Sequence, residues 1–134
     1  SNRENMIVKW TEELTVKNEK LDAEHQKWIQ ILNNFYEGLR DNKPKESLLE
    51  LIQEMYDYTK YHFASEEEYM KSVNYPRLAE HQEKHRYFEG RIKEFYDRIN
   101  DGKLVVSLEV TNFLKTWLIN HIKGEDQQYS AHKG

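Results

Sequence analysis

The sequence predicts an all-α fold: an up-down-up-down antiparallel four-helix bundle preceded by an N-terminal arm. Three observations carry that expectation. Apolar side chains recur at alternating steps of three and four along four separate stretches, the signature of helices with one buried face. Chain-breaking residues are few, with 5 Gly and 2 Pro in 134 residues, and both prolines fall between the stretches. The length suits one domain. Although 33% of residues are charged, 3 Trp, 9 Tyr and 5 Phe supply the core material that a disordered segment lacks.

The elements follow in order. Up to about Lys20 there is no sustained period, only Trp10, Leu14 and Val16, so this stretch is expected to fold back over the core as an arm. Leu21, His25, Trp28, Leu32, Phe35 and Leu39 form the first seam, ending at the polar turn Arg40-Asp41-Asn42-Lys43. Pro44 suits the first turn of a second helix, whose seam is Leu48, Ile52, Met55, Thr59, His62, Glu66 and Tyr69. Asn74-Tyr75-Pro76 stops it. The third seam reads Leu78, His81, His85, Phe88, Ile92, Phe95 and Ile99, closed by Asn100-Asp101-Gly102. Ser107 is a candidate N-cap with Glu109 in the first turn. The fourth seam is Val110, Leu114, Trp117 and His121, fading near Gly124. Four helices on short turns give the alternating bundle. The expected division is an arm over 1–20, a bundle over 21–126 and a polar tail over 127–134. Residues 1–5, ahead of the first Met, are set aside as partly an expression remnant.

Composition removes several classes of function. Acidic residues outnumber basic ones 24 to 20, a net charge of -4 that speaks against nucleic acid as a partner. With no Cys there is no disulfide, Cys-ligated zinc, iron–sulfur cluster or thiolate chemistry. No apolar run approaches the roughly 20 residues that span a bilayer, and no signal peptide is recognisable, so the expectation is a cytoplasmic protein without a membrane partner.

What remains is histidine. Of six His, five lie on seams: His25, His62, His81, His85 and His121. His25 is early in the first helix, His62 late in the second, His81 and His85 early in the third, and His121 late in the fourth. In an alternating bundle all five fall toward one end of the core. A lone core His is ordinarily a packed, hydrogen-bonded residue, and the run Glu66-Glu67-Glu68 would ordinarily be a solvated face. Five imidazoles in one layer, however, need a common partner, because burying polar groups unpaired costs about 1–3 kcal/mol each. A metal centre provides one. His62 and Glu66 share a helix face, as do His81 and His85. Five residues separate His121 from Asp126, which puts them about 140° apart on a continuous helix. A helix ending at Gly124 would swing Asp126 back toward the core, but spacing does not choose between Asp126 and Glu125. Such a ligand set exceeds the four positions of one zinc ion and carries too much nitrogen for calcium or magnesium. It suits two first-row ions bridged by carboxylates, with iron the leading candidate. The residues three before each His are Asp22, Thr59, Leu78, Gln82 and Leu118, so the Glu-x-x-His motif of ferritin-like and monooxygenase sites is missing.

The elements Asp22-Ala-Glu-His25, His62-Phe-Ala-Ser-Glu66-Glu67, His81-x-x-x-His85 and Trp117-Leu-Ile-Asn-His121-Ile-x-x-x-Asp126 together resemble the hemerythrins (the HHE cation-binding domain), in particular the single-domain bacteriohemerythrins. The resemblance runs from Trp10 to Asp126. It implies reversible dioxygen binding, without enzymatic turnover, at two non-haem iron ions bridged by carboxylates and an oxo or hydroxo group. Position by position it implies His81, His85 and His121 on one iron, His25 and His62 on the other, and Glu66 and Asp126 across both. It thereby selects Asp126 over Glu125, and leaves His132 unassigned. Dioxygen would take the open position of the two-His iron, in a dry pocket for which Phe63, Trp117, Leu118 and Ile122 are the candidate wall. Second partners should orient each imidazole, but the sequence does not identify them.

Carriage, storage or delivery of dioxygen is the leading role, with a dioxygen-consuming enzyme as a client. The alternatives are sensing of dioxygen, nitric oxide or redox state through a signalling partner, and iron handling or repair of iron centres. A purely structural helical module would leave five core histidines without a reason. Tyr56, Tyr58 and Tyr61 on the second helix remain unassigned.

Overall fold

The computed structural model describes residues 8–102 and 108–132. The expected cap Ser107 and the side chain of Glu109 lie outside the described residues, as do residues 1–5. Among the described residues the long helices are α1 (Glu19–Arg40), α2 (Lys45–Ser72), α3 (Leu78–Asn100) and α4 (Leu108–His121). A wide turn over Ile122–Asp126 and the short helix α5 (Gln127–Ala131) follow, and none of the described residues forms a strand. The helices pack in sequence order around one core, the antiparallel bundle that the four seams predict. None of the described helices is long and apolar enough to cross a membrane.

Local chemistry sets the boundaries. α1 begins two residues ahead of its first seam residue because the Asn18 side chain caps it, accepting from the Leu21 amide at 3.1 Å. Asp22, in the first turn, binds the arm through the Thr15 hydroxyl and the Val16 amide (2.8 Å to the latter). Asn33 holds Val8 by both its N–H and its C=O, each at 2.9 Å. The arm thus lies along α1 with Val8, Leu14 and Val16 buried, through a 3-10 turn at Glu12–Leu14. At the α1–α2 joint Gly38 packs closely on α2: a Cβ there would stand 2.7 Å from Leu51 Cδ1, so that side chain would have to shift. Pro44 sits one residue before α2 rather than inside its first turn.

The seams are buried with four exceptions. Leu39, Tyr69, Leu78 and Trp117 are half-buried, while Met70 and Leu118, their neighbours on α2 and α4, are buried. A helix turning at 3.6 residues drifts off a strict three-four alternation, so near its end the adjacent residue takes the inward place. One end of the core is apolar: Phe35, Ile52, Met55, Ile92, Phe95, Ile99, Val110 and Leu114. Trp28, Phe63, Phe88 and Trp117 form an aromatic layer above it, with Phe88 and Trp117 stacked at 4.1 Å. The opposite end is polar.

The segment 127–134, expected to be a tail, is helical through Ala131 and buries Tyr129 completely. Gln127 Nε2 donates to the Thr15 carbonyl at 3.1 Å and Ser130 Oγ to the Val16 carbonyl at 2.7 Å, so the C-terminal turn and the arm close the polar end together. His132 lies away from the histidine layer, with a ring nitrogen 3.1 Å from the Val73 carbonyl.

Candidate metal centre

Each helix delivers its histidines to the polar end. The seam of α1 carries His25, α2 carries His62 and Glu66 one turn apart, α3 carries His81 and His85, and α4 ends on His121. Asp126 arrives differently from the expectation. The helix does not stop at Gly124 but widens over Ile122–Asp126 into hydrogen bonds that close one residue later than in an α-helix. The extra residue cancels most of the angular offset, and His121 and Asp126 come onto one face with Nε2 and Oδ1 3.1 Å apart.

All seven side chains are buried, His81 being the most exposed at 3%. They form two groups that share Glu66. In the first, Glu66, His81, His85, His121 and Asp126 point ligand atoms at one another, and in the second His25, His62 and Glu66 do so. The Nε2 atoms of His81 and His85 each stand 3.1 Å from that of His121. Glu66 Oε1 is 3.0 Å from His85 Nε2, whereas Oε2 is 3.2 Å from His25 Nε2 and 3.4 Å from His62 Nε2. Asp126 divides likewise, with Oδ1 3.0 Å from His81 and Oδ2 3.2 Å from His25. Glu66 therefore turns one oxygen toward the three imidazoles and the other toward the remaining pair, while Asp126 turns Oδ1 toward His81 and His121 and Oδ2 toward His25.

The donor set fits metal ions. Ligand atoms at adjacent corners of an octahedron with bonds of about 2.1 Å lie about 3 Å apart, the spacing seen here. His62 Nε2, Glu66 Oε1 and both oxygens of Asp126 have no hydrogen-bond partner although they are fully buried. Unsatisfied polar atoms of this kind cost stability unless something binds them.

The opposite ring nitrogens of His62, His85 and His121 are held from outside, while His25 Nδ1 has no hydrogen-bond partner. His62 Nδ1 donates to Glu24 Oε1 at 2.8 Å, and Glu24 in turn accepts from the Ser65 hydroxyl at 2.9 Å. His85 Nδ1 donates to Glu67 Oε2 at 2.7 Å, with Gln82 and Arg86 on the same carboxylate. His121 Nδ1 donates to Glu125 Oε1 at 3.2 Å. These bonds fix each ring and leave Nε2 with its lone pair aimed at the centre. Within the glutamate run, Glu66 and Glu67 are buried and only Glu68 is exposed. None of these orienting carboxylates was identified from sequence. A signal was present: Glu24, Glu67 and Glu125 are each the chain neighbour of a candidate ligand, and Glu125 also stands four residues after His121.

Electrostatics favour charge on the carboxylates. Burial opposes ionisation of Glu66, yet the surrounding imidazoles hold its pKa well below the usual range, and Asp126 is lowered in the same way. Burial likewise opposes a charged His25, but the adjacent carboxylates of Asp126 and Glu66 outweigh it and push the pKa up to about 9. His85 and His121 also shift upward against burial, through the same carboxylates together with Glu67 and Glu125. Metal ions would displace those protons, which couples binding to pH.

Of the candidate wall residues, Phe63 stacks on the His85 ring at 3.7 Å and lies 6.0 Å from that of His62. Trp117 stacks on His121 at 4.5 Å and stays half-buried, while Leu118 and Ile122 are buried beside it. Trp28, read from sequence only as packing, is the indole nearest the two-His pair: its ring is 5.1 Å from that of His62, and its N–H donates to Thr59 at 2.8 Å. Sequence reasoning also passed over Tyr129, whose hydroxyl donates to Glu66 Oε2 at 2.9 Å.

Known proteins resemble this chain in sequence and in fold. Residues 16–132 match the family model described as the hemerythrin HHE cation binding domain. A bacteriohemerythrin of Stenotrophomonas maltophilia (strain R551-3) is 34% identical over 124 residues, covering 92% of this chain and 80% of that protein. A myohemerythrin of Theromyzon tessulatum is 32% identical over 122 residues, covering 91% of this chain and 90% of that protein. The backbone superposes on a wild-type hemerythrin crystal structure with a TM-score of 0.86, over 94% of this chain and 97% of that one at 24% identity, a likeness of fold.

Proposed function

The chain belongs to the hemerythrin family, and from that membership we propose that it binds dioxygen reversibly at a pair of iron ions in the polar end of its core. One observation carries the reading: Glu66 presents one oxygen to the three-His group and the other to the two-His pair, and Asp126 likewise divides its oxygens between the three-His group and His25. His81, His85 and His121 would hold one ion, His25 and His62 the second, and the two carboxylates would span both. The second position has one imidazole fewer, so it keeps a place for an exogenous ligand. Iron held there would supply the electrons and the open coordination position that dioxygen binding needs.

The chain's own residues do the rest. Glu24, Glu67 and Glu125 keep the rings of His62, His85 and His121 in one tautomer and one orientation. Phe63 and Trp117 against the three-His group, Trp28 over the pair and the buried side chains of Leu118 and Ile122 would give the site apolar surroundings that exclude water and the protons it carries. Two carboxylates against five neutral imidazoles leave little negative charge to stabilise strongly oxidised iron, so the site is suited to holding dioxygen rather than to oxidising a substrate.

Absorption spectra of anaerobically iron-loaded protein test this, taken before air, after air and after deoxygenation. Near-UV and visible charge-transfer bands should appear with dioxygen and vanish on its removal. Irreversible bleaching, bands that do not reverse, or loss of iron would defeat the carrier reading and point to iron handling.

A further inference from the structure

Among the described residues, Glu66 Oε2 is the one oxygen of the two shared carboxylates that accepts a hydrogen bond from a hydroxyl, that of Tyr129. The same oxygen faces His25 and His62, while Oε1, which faces the three-His group, has no hydrogen-bond partner. Tyr129 is itself immobilised: it is fully buried, with ring centroids of Tyr69 and His81 at 5.7 and 5.8 Å. It lies three residues after Asp126 on α5, so the wide turn that brings Asp126 inward brings the phenol with it. On an uninterrupted α-helix, residue 129 would be rotated about 80° from the His121 face, and one extra residue in the turn removes most of that offset.

We propose that Tyr129 is a positioning residue for the second metal ion: its hydroxyl holds Glu66 across both groups, so that the two-His position fills after the three-His position and depends on Tyr129 far more. This rests on the two-ion reading above. The physical reason is unequal redundancy. Three imidazoles and Asp126 Oδ1 define the first position even if Glu66 rotates. The second has two imidazoles, and without Oε2 it retains a single carboxylate oxygen, from Asp126. An orienting hydrogen bond on Glu66 therefore matters most there.

The test is an anaerobic Co(II) titration of the full chain, wild type against Tyr129→Phe and Tyr69→Phe, read by visible absorption and by competition with a chelator. Wild type should take two ions in two resolved steps. Tyr129→Phe removes only the hydroxyl and should weaken the second step by about tenfold or more, leaving the first within about threefold. Tyr69→Phe, which alters a neighbouring ring but no bond to Glu66, should leave both steps in place. In wild type the tyrosine ultraviolet difference signal should develop chiefly with the second equivalent, a measurement that stands even if the Phe variant folds poorly. Equal weakening of both steps, as a merely structural role would give, overturns the proposal, and so does no change in either step. Uptake of fewer than two ions by wild type overturns the two-ion reading as well, and is told apart from the other failures by its appearance in the unaltered chain.

Discussion

The two ends of this bundle bury their side chains by opposite means. At one end Phe35, Ile52, Phe95, Ile99, Val110 and Leu114 fill the space with carbon. Its polar feature, the Tyr36 hydroxyl, is matched to the Thr111 carbonyl. At the other end, on the same helices, five imidazoles and two carboxylates sit equally deep, and five of their polar atoms lack a hydrogen-bond partner. The apolar end is stabilised by packing and the release of water, and needs nothing from outside. The polar end is stable to the extent that its charges neutralise one another or a bound ion does it for them. The aromatic layer of Trp28, Phe63, Phe88 and Trp117 divides them, so the fold can form on one half while the other holds its chemistry ready.

The largest effect should come from the metal. An ion present at a thousandfold excess over its dissociation constant stabilises by about 4 kcal/mol, so loading both positions should raise the melting temperature well beyond that of chelator-treated protein. Equal melting of loaded and stripped protein would erase the distinction between the ends. Phe35→Ala sharpens it from the other side. It should cost about 3–5 kcal/mol through the cavity it leaves. The loss should be the same with and without metal, and metal content per folded chain should not change, because nothing at Phe35 touches the histidine layer. Denaturant unfolding of both forms measures this.

The smallest effect is one of pH, and it belongs to the metal-free polar end. Folding raises the pKa of His25 from 6.5 to about 9. Its stabilisation is therefore complete below pH 6.5 and is lost as the pH climbs through 9. Glu66 moves the other way, from 4.5 downward, so its contribution is present above the ordinary carboxylate range and lost as the solution turns acid. Metal-free protein should be most stable between those limits and soften toward pH 9. Loaded protein, whose imidazoles would already be neutral, should lack the alkaline loss. Melting curves across that range compare the two.

The sequence made these two ends legible to different depths. The seams were readable because helix period and burial coincide, and His25, His62, Glu66, His81, His85 and His121 inherit that period. Asp126 was not readable by spacing, because the backbone widens at Ile122–Asp126 and shifts the helical register there, and only the family resemblance selected it over Glu125. Glu24 and Glu67 look like surface residues in a linear pattern, because spacing does not pair either with the histidine it holds, which is on another helix. Glu125, by contrast, stands four residues after His121, a helical spacing that could have found it. Tyr129 was masked by its polar neighbours Gln127, Gln128 and Ser130, which face outward or tie down the arm while the phenol turns in. Trp117 shows the converse, a seam residue half-exposed because Leu118 takes the inner place.

The most direct test of the central claim is stoichiometry, iron and dioxygen measured on one anaerobically loaded sample and repeated with Glu66→Gln. The account predicts two irons and one releasable dioxygen per wild-type chain, with both numbers collapsing when the shared carboxylate is neutralised. One iron per chain, or two irons and reversible dioxygen uptake that survive Glu66→Gln unchanged, would contradict it.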